Sequence, residues 1–492
     1  MAIPWLHVIR EHPTFLKEYQ ELFASSTTWA DLVQDIALKA INLAGWLRQC
    51  WRALRSDGQP WRASGPLSSP VDVLLVSHLL NDADAGKAAD FYFGDVPELL
   101  RAEGRTVVVA LIDHTGSTDV ARVLRWDGNA SVRVLLANSL DFQGELSLYQ
   151  RLRKEATRLA NTSRKEVHLF RGRVLARASL MAMSGAARTS LRMSVQIGRL
   201  VTVIKPKMMI VTYEGHAWER LAFAAARDAL PNVQCAGYQH AALFRMQHSA
   251  LRKLGASFDP DLILTAGSIS KVQIENSKKL RNIPVRILGS NRAVIRSPET
   301  RFSVSASVHG IRHSVAEGNT CLVLPEGIIS ECLVLFEFSL KCAVLMPDMR
   351  FVWRLHPLVS QARLVRSSSR MRTLPANVEF SNLPLEDDFK YASYALYRGS
   401  TAIIQAVYAG LEPIYLSGID EMSIDPLCGL DAGHVSVTSA LEFKSVIFEK
   451  KNTTSDVVVY NRQVAIRYCE EFYMRTEPDV ILSALKDTVT CS

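Results

Sequence analysis

The chain has 492 residues, 48% of them hydrophobic and 22% charged, so it can bury a large core and is not a disordered protein. The length suggests two or three domains. The formal net charge of +8 permits an anionic partner, such as a phosphate-bearing substrate, a membrane surface or a nucleic acid.

Cysteine usage and hydropathy narrow the class of protein further. The eight cysteines form no C-x-x-C pair, which argues against a zinc site or a disulfide framework and favours reduced thiols in a cytoplasmic protein. The N-terminus lacks the apolar core of a signal peptide. No apolar run reaches the roughly 18 residues of a membrane span, so no such span is expected.

Taken in chain order, the elements predict two α/β units behind a helical extension. Residues 1–65 are predicted to be this N-terminal helical extension, which a loop signal, "RASGPLSSP", closes. Strands that are apolar on both faces then alternate with helices, as in "VDVLLVSHL", "TVVVALID" and "KMMIVTYEG", a pattern typical of a parallel sheet. This first unit spans 66–300, and a second one spans 301–492 and ends in a C-terminal helix.

A basic helical insertion at 145–200 is predicted to interrupt the first unit. Between Arg151 and Arg199 there are twelve Lys and Arg and two acids, a net of 12 − 2 = +10 against +8 for the entire chain. A solvated helical face and contact with an anionic membrane are both open interpretations. Nucleic-acid binding is disfavoured because no nucleic-acid motif accompanies the charge.

Polar residues at strand ends are the candidate site residues of the first unit, because ligands of doubly wound sheets bind at the carboxyl ends of the strands. In "IVTYEGHAWE", Glu214 and Gly215 lie between a strand and a helix. A carboxylate there can act as general base or nucleophile, or can simply cap the helix. Two further strands end in cleft or acceptor candidates, which are Ser77, His78, Gln239 and His240.

The second unit offers three turns that could hold a nucleotide. "LPEGI" contains Glu326 and Gly327, and "RLHP" contains His356 and Pro357. In "YRGSTAIIQ", a glycine and two hydroxyl residues open a short helix. The free N–H groups at such a helix mouth can bind phosphate, although ordinary helix capping explains the same pattern. The residues concerned are Gly399, Ser400 and Thr401, with Gln405 one turn further on.

Three of these pairs resemble, in order and spacing, short motifs of bacterial sialyl- and polysialyltransferases: an acidic pair with glycine, His-Pro, and Ser-Ser/Thr. The pairs here are Glu214-Gly215, His356-Pro357 and Ser400-Thr401. Related patterns occur in Kdo transferases of capsule and lipopolysaccharide assembly and in teichoic-acid glycerophosphotransferases. The resemblance covers roughly residues 70–480 and implies an α/β fold of the GT-B class, with two Rossmann-like domains facing a central cleft.

The resemblance also implies an activity. A metal-independent glycosyltransferase without a cofactor would move a 2-keto sugar acid, such as Kdo, sialic acid or a related nonulosonic acid, from a CMP-activated donor to a glycan or lipid-linked glycan acceptor. The expected location is the cytoplasm, at the inner face of the membrane. His356 with Ser400 and Thr401 would hold the donor phosphate. Glu214 would be the general base in an inverting enzyme or the nucleophile in a retaining one.

Two departures from the family pattern leave the donor open. Tyr213 replaces one acid of the acidic pair, and Gln405 stands where many GT-B enzymes keep a ribose-binding acid. Candidates for the carboxylate of the donor sugar are Arg354, Lys390 and Arg398. The alternatives are a CDP-glycerol-type polymer transferase, a GT-B-shaped sugar-nucleotide epimerase and a non-catalytic nucleotide- or carbohydrate-binding scaffold.

Overall fold

A computed structural model describes residues 29–489, apart from 82–83, 86, 88, 116–129, 167–169, 245–248, 278, 294–318, 357–358 and 419–422. Within these ranges the chain forms fourteen α-helices and fourteen β-strands. None of the helices in this part is long and apolar enough to cross a membrane. Of the predicted extension 1–65, residues 1–28 lie outside the described part.

The described part of the extension is one long helix and a short strand. Helix α1 spans Trp29–Arg55, as predicted. Strand β1 (Trp61–Ala63) was not predicted, because three half-buried residues carry too short a pattern to recognise. It pairs antiparallel with β4 and closes one edge of the first sheet.

The first lobe is built on an eight-stranded sheet in the order β1-β4-β3-β2-β5-β6-β7-β8. All pairings except that of β1 are parallel. Its remaining strands are β2 (Val73–Leu79), β3 (Val107–Asp113), β4 (Val132–Leu136), β5 (Met208–Thr212), β6 (Gln234–Gln239), β7 (Leu262–Thr265) and β8 (Val285–Ile287).

Both faces of this sheet are buried, which explains the continuous apolar runs of its strands. Along β2, Leu74 and Val76 face one hydrophobic cluster while Val73 and Leu75 face the other. Successive side chains of a strand point to opposite faces, so a strand with helices on both sides needs apolar residues at every position.

Six helices accompany the first sheet: α2 (Val96–Ala102), α3 (Phe142–Lys165), α4 (Phe170–Ala182), α5 (Gly185–Ile204), α6 (Ala217–Ala229) and α7 (Ser268–Glu275). Helix α5 buries Ile197, Leu200, Val201 and Ile204 in the core of the sheet. It is therefore a regular layer helix, and the predicted insertion 145–200 is too long at its C-terminal end. The high charge of the stretch concealed an apolar face with helical spacing.

Part of the basic excess in this segment is structural. Arg192 is buried and makes two bonds, of 2.6 and 3.0 Å, to the buried carboxylate of Glu145. Arg188, also buried, donates to the backbone carbonyl of Asn42 in α1 at 2.8 Å. Eight of the twelve basic residues remain exposed, namely Arg151, Arg153, Lys154, Arg158, Arg164, Lys165, Arg171 and Arg199.

The second lobe has a six-stranded, fully parallel sheet in the order β11-β10-β9-β12-β13-β14. Its strands are β9 (Thr320–Leu324), β10 (Arg350–Trp353), β11 (Val378–Phe380), β12 (Tyr394–Tyr397), β13 (Glu412–Leu416) and β14 (Val435–Val437). Counted from β9, this is the 3-2-1-4-5-6 order of a doubly wound nucleotide-binding fold.

Seven helices lie between or after the strands of the second sheet in the chain: α8 (Ile329–Leu345), α9 (Gln361–Ser367), α10 (Leu385–Tyr391), α11 (Ala402–Tyr408), α12 (Ala440–Asn452), α13 (Ser455–Phe472) and α14 (Asp479–Val489). A short 3-10 helix (Ser369–Met371) follows α9. In the core, Trp353 of β10 stacks on Phe336 at 4.3 Å and donates to Ser339 at 2.9 Å.

The last part of the chain returns to the first lobe. Met474 donates its backbone N–H to Ala266 and accepts one from Ser290, at 3.0 and 2.8 Å. Helix α14, which the sequence places with the second unit, buries Ile481 and Leu485 in the core of the first sheet. The two lobes are thus tied together by the C-terminal segment as well as by the connection after β8.

The strand orders define where ligands should bind. In each sheet the order reverses direction once, between β2 and β5 in the first and between β9 and β12 in the second. Crevices outside the carboxyl ends of strands at such switch points are the usual ligand sites of doubly wound sheets. The candidate residues that follow β5, β9 and β12 lie at these two points.

Candidate active site

The turn after β5 is built so that Glu214 has a fixed backbone. Gly215 has φ +84°, and a Cβ atom there would overlap the backbone of Ser249. The Ser249 hydroxyl donates to the Glu214 carbonyl at 2.6 Å. Only glycine fits both the left-handed conformation and the close approach of the Ser249 backbone.

Glu219, rather than Glu214, caps the following helix. Its buried carboxylate accepts backbone N–H groups from Glu214, Gly215 and His216 at 2.7–3.1 Å. Capping by the acid three residues into the helix is a familiar arrangement. The capping interpretation of Glu214 is therefore wrong, and its side chain is left to meet other groups.

Those other groups are histidines. The Nε2 atom of His240 lies 3.5 Å from one carboxylate oxygen of Glu214, and that of His216 lies 3.6 Å from the other. Burial raises the pKa of Glu214, but the hydrogen bond from His216 and the nearby charges of His240, His216 and His78 together outweigh it and bring the pKa to about 2. The same contact raises the pKa of His216 to about 9. At neutral pH the two form an ion pair.

His240 and His78 are neutral partners in this group. Burial lowers the pKa of His240 to about 4, against the attraction of Glu214 and with the help of the Arg292 charge. Burial also lowers the pKa of His78 to about 3. His78 contacts His114 at 2.8 Å and the Thr212 hydroxyl at 3.0 Å.

Sequence reasoning missed two aromatic members of this cluster. The Tyr92 ring packs on His240 with centroids 4.2 Å apart, and burial raises the pKa of Tyr92 to about 12. His114 follows β3 directly, so the strand-end argument that found His78 could also have found it. Tyr92 lies between elements, and its sequence context offers no comparable signal.

Two predicted cleft residues have structural roles instead. Ser77 is fully buried and donates to the buried Asp90 at 2.7 Å. Gln239 is also fully buried, and its amide nitrogen donates to the backbone carbonyl of Ala241. Alternate residues of a strand face opposite sides, so the neighbours of His78 and His240 turn into the sheet layers.

In the second lobe, the turns after β9 and β10 meet. A Cβ atom on Gly327 would lie 3.0 Å from the imidazole of His356, so the glycine allows this ring to pack on the turn. Burial, with a contribution from Arg292, lowers the pKa of His356. His356 is thus neutral at pH 7 and half-buried. Pro357 lies outside the described residues.

The helix mouth after β12 differs from the predicted phosphate site. The Glu326 carboxyl lies against Gly399, where any Cβ would collide with it. Burial and the neighbouring Glu331 raise the pKa of Glu326. Ser400 is buried, and Thr401 is the N-cap but makes no side-chain capping bond. Helix α11 has only seven residues, with Gln405 half-buried in its middle.

The cation at this mouth comes from the first lobe. Arg292, just after β8, donates to the Thr401 hydroxyl and contacts the Tyr473 hydroxyl, both at 3.4 Å. Its guanidinium lies 5.9 Å from the Phe91 ring centre. Among the described residues it has no carboxylate partner. Besides burial, the charge of Arg292 helps to lower the pKa of both His240 and His356.

Sequence reasoning missed Arg292 and favoured other cations. Arg354 pairs with Asp388 at 2.6 Å, and Lys390 pairs with Asp387 on the surface. Arg398 contacts Glu331 at 2.9 Å. Each of these three candidates already has an acid beside it, so a donor carboxylate would have to compete with that acid. Arg292 follows "VRILGS", so its position at a strand end was the available signal.

No group of three or more His, Cys, Asp or Glu among the described residues has a geometry that could hold a metal ion. The histidines around Glu214 instead contact one another, the carboxylate and a threonine hydroxyl. The arrangement can therefore move a proton at Glu214 and attract an anion at Arg292.

No family model matches the chain, and no curated protein matches it in sequence. Solved structures do resemble it. An α,α-trehalose 6-phosphate synthase from Burkholderia multivorans has a TM-score of 0.50 at 10% identity, covering 86% of this chain and 98% of that one. A glycosyltransferase from Rickettsia africae has a TM-score of 0.48 at 10% identity, covering 86% and 100%. A UDP-forming α,α-trehalose-phosphate synthase from Burkholderia vietnamiensis has a TM-score of 0.49 at 12% identity, covering 86% and 98%.

The first of these likenesses, together with the two doubly wound sheets, shows that the chain has the GT-B glycosyltransferase fold. The predicted fold class is confirmed. At 10% identity the likeness shows the fold alone, so the activity has to be argued from the site.

Proposed function

We propose that the protein is a glycosyltransferase that moves a 2-keto sugar acid, such as Kdo, sialic acid or a related nonulosonic acid, from a CMP-activated donor to a glycan acceptor in bacterial surface polysaccharide biosynthesis. One observation carries the proposal. Glu214 lies beside two histidines at the switch point of the first lobe, and Arg292 of the same lobe, which has no carboxylate partner among the described residues, donates to Thr401 at the switch point of the second lobe.

The donor phosphate is assigned first to Arg292. A guanidinium offers a planar set of donors that suits phosphate oxygens. The Thr401 hydroxyl and the His356 imidazole are the neutral groups beside it. The helix mouth alone would serve poorly, because Glu326 lies against Gly399. Glu326 is instead suited to accept a ribose hydroxyl, the role for which Gln405 offers only an amide.

Transfer then needs little covalent chemistry from the protein. The acceptor hydroxyl oxygen attacks the anomeric carbon of the donor, and the bond from that carbon to the CMP phosphate breaks. CMP leaves with the electron pair of that bond, and the hydroxyl proton passes to Glu214. Arg292 stabilises the charge that develops on the leaving phosphate.

The low pKa of Glu214 sets a condition on this step. At about 2 the carboxylate is ionised throughout the physiological range, as a base or nucleophile must be. The same low pKa makes Glu214 a weak proton acceptor as long as His216 stays paired with its carboxylate. The acceptor hydroxyl therefore has to displace His216, whose side chain is 55% exposed. A covalent attack by Glu214 would instead give retention of configuration.

The acceptor is proposed to be a glycan or lipid-linked glycan at the inner face of the cytoplasmic membrane. The eight exposed basic residues of 151–199 support contact with an anionic surface. No step of the reaction is assigned to a metal ion or cofactor.

Calorimetry with CMP, CDP and UDP tests the donor. Binding of CMP at least tenfold tighter than UDP is expected. Tighter binding of UDP would overturn the CMP assignment, and selective binding of CDP would favour a CDP-glycerol-type transferase. If CMP binds and transfer is unaffected by Glu214→Ala, the proposed nucleotide site would stand and the proposed catalytic role of Glu214 would be wrong. Nucleotide binding without turnover of any CMP-sugar would favour a non-catalytic scaffold.

A further inference from the structure

Helix α1 carries an apolar surface that nothing in the described structure covers. Its outward residues recur at intervals of three and four along the helix, so that they lie on one side. We call this surface the α1 stripe; its main members are Trp29, Val33, Ile36, Leu43, Leu47, Trp51 and Leu54, each at least 50% exposed. A helix of 27 residues makes the stripe about 40 Å long.

The opposite face of α1 is held firmly on the first lobe. Trp46 packs on Tyr149 of α3 with ring centroids 4.4 Å apart. Gln49 donates to the Asn138 carbonyl at 2.8 Å, and the Asn42 carbonyl accepts from the buried Arg188. The stripe is therefore presented by a helix whose orientation is fixed by specific contacts.

Basic side chains flank the stripe. The exposed charged side chains described on α1 are Lys39, Arg48, Arg52 and Arg55. Asp35 faces Arg177 of α4 at 3.3 Å. Arg55 lies over the Trp51 ring at 3.7 Å, which keeps a cation at one end of the apolar surface.

We infer that α1 lies in the interface of an anionic lipid membrane, with the α1 stripe among the acyl chains and the four basic residues at the headgroups. Helices that bind in this way combine an apolar face containing Trp and Leu with Lys and Arg on the polar flanks. Trp29 and Trp51 stand near the two ends of the stripe, and Trp is enriched at membrane interfaces. The helix is not apolar enough to cross a membrane.

A second copy of the chain is the main competing occupant, because the spacing of the stripe also suits a coiled coil. The flanking charges argue against it. Pairing two such helices would bring basic side chains together along the seam, where coiled coils need opposite charges. An anionic surface has the complementary charge, and the exposed basic residues of the neighbouring α3 add to the attraction.

Vesicle flotation with the full-length protein tests the inference, independently of any donor or transfer activity. We expect the chain to float with phosphatidylcholine vesicles that contain about 30% phosphatidylglycerol, and far less with phosphatidylcholine alone. Leu47→Glu combined with Leu54→Glu should lower the bound fraction at least tenfold. The matched control is Val344→Glu with Leu441→Glu, two equally exposed apolar residues of the second lobe, which should bind like the wild type.

A second variant addresses charge and does not touch the stripe. Replacing Lys39, Arg48 and Arg52 by Gln should weaken binding to anionic vesicles by about fivefold per charge. It also keeps the inference testable if the glutamate variant does not fold, which circular dichroism would reveal. Unchanged flotation of both variants would overturn the inference.

Light scattering, which measures the oligomeric state, distinguishes the other possible partners of the α1 stripe. A wild-type dimer that does not float, and that the glutamate variant converts to a monomer, would assign the stripe to a second copy. A wild-type monomer that does not float would mean that the stripe is covered by residues 1–28. Either result contradicts membrane binding.

Discussion

The two switch points share a topology and differ in chemistry. In the first lobe, the turn after β5 presents a carboxylate, Glu214, and surrounds it with histidines of both protonation states. In the second lobe, the turn after β12 brings Gly399 against a carboxyl, and Arg292, which donates to Thr401 at the helix mouth, comes from the first lobe. The residues around Glu214 all come from the first lobe, whereas the helix mouth after β12 is contacted by residues of both lobes.

This difference shows when a short sequence motif is enough to predict the geometry of a site. A strand-end acid fixed by a glycine turn can be built by neighbouring residues, so its geometry follows from a short stretch. A phosphate site at a helix mouth depends on what fills the space in front of it, and here Glu326 does. Variants at the two points should therefore have separable effects on transfer and on nucleotide binding.

The largest effect is expected at Glu214. Glu214→Gln removes the proposed proton acceptor and should lower kcat by about 10²- to 10⁴-fold, while CMP affinity should stay unchanged because the proposed nucleotide site is at the other switch point. Steady-state kinetics with calorimetry measures both. Glu103→Gln, at an exposed helix end, is the control. An equal loss of CMP binding would show that the two points are not separable.

The next largest effect concerns the turn that holds Glu214. Gly215→Ala forces a side chain into the Ser249 backbone at a left-handed φ, and should cost about 3 kcal/mol of unfolding free energy. Gly104→Ala is the matched control. Its φ is +73° but nothing lies within 4 Å of the added atom, so the cost should be about 1 kcal/mol. Equal losses in urea unfolding would mean that the close approach is unimportant.

Arg292 tests the proposed nucleotide site at the helix mouth of the second lobe. Arg292→Gln removes the proposed charge-assisted contact to the donor phosphate and should weaken CMP binding about ten- to hundredfold. The surface variant Arg199→Gln should leave the affinity as it is. The measurement is calorimetry at low and moderate salt. Wild-type affinity in Arg292→Gln would place the phosphate elsewhere and leave the helix mouth as the remaining candidate.

The smallest effect is the pH dependence of the Glu214–His216 pair. The folded pKa of His216 is raised from 6.5 to about 9, so its stabilisation is complete below pH 6.5 and disappears as the pH rises to 9. The pKa of Glu214 is lowered from 4.5 to about 2, so its part appears above pH 4.5 and is lost as the pH falls to 2. The pair therefore stabilises most between these limits, near pH 5–6.

His216→Asn tests this window. The unfolding free energy should fall by about 1 kcal/mol or less at pH 5.5, since the pair is partly exposed, and the difference should vanish near pH 9.5. Urea unfolding of both proteins across this range provides the measurement. A difference that grows with pH would contradict the ion pair.

Several features could be predicted from the sequence because they depend on near neighbours. The two-sided apolar strands required helices on both faces, and that pattern led to two doubly wound units. Glu214, His78 and His240 were found because they follow or end buried strands. The N-terminal part of the basic stretch was recognised as helical, whereas α5 was not recognised as a sheet helix, since its charges mask its buried face.

Other features depend on residues far apart in the chain, and no local pattern reports them. Ser77 and Gln239 turned inward because the pleat sends alternate side chains to opposite faces, and their partners could not be known. Arg292 reaches Thr401 across 109 positions. The return of α14 to the first sheet depends on packing against strands that are distant in sequence.

The sequence by itself determined the two α/β units, the order of their strands along the chain and the acid at the end of β5, because apolar periodicity and glycine turns act over a few residues. Only the tertiary structure decided which carboxyl caps the helix after β5, which cation meets the helix mouth after β12 and which face of α1 is left open. Those outcomes follow from packing and charge balance between segments that meet only after folding.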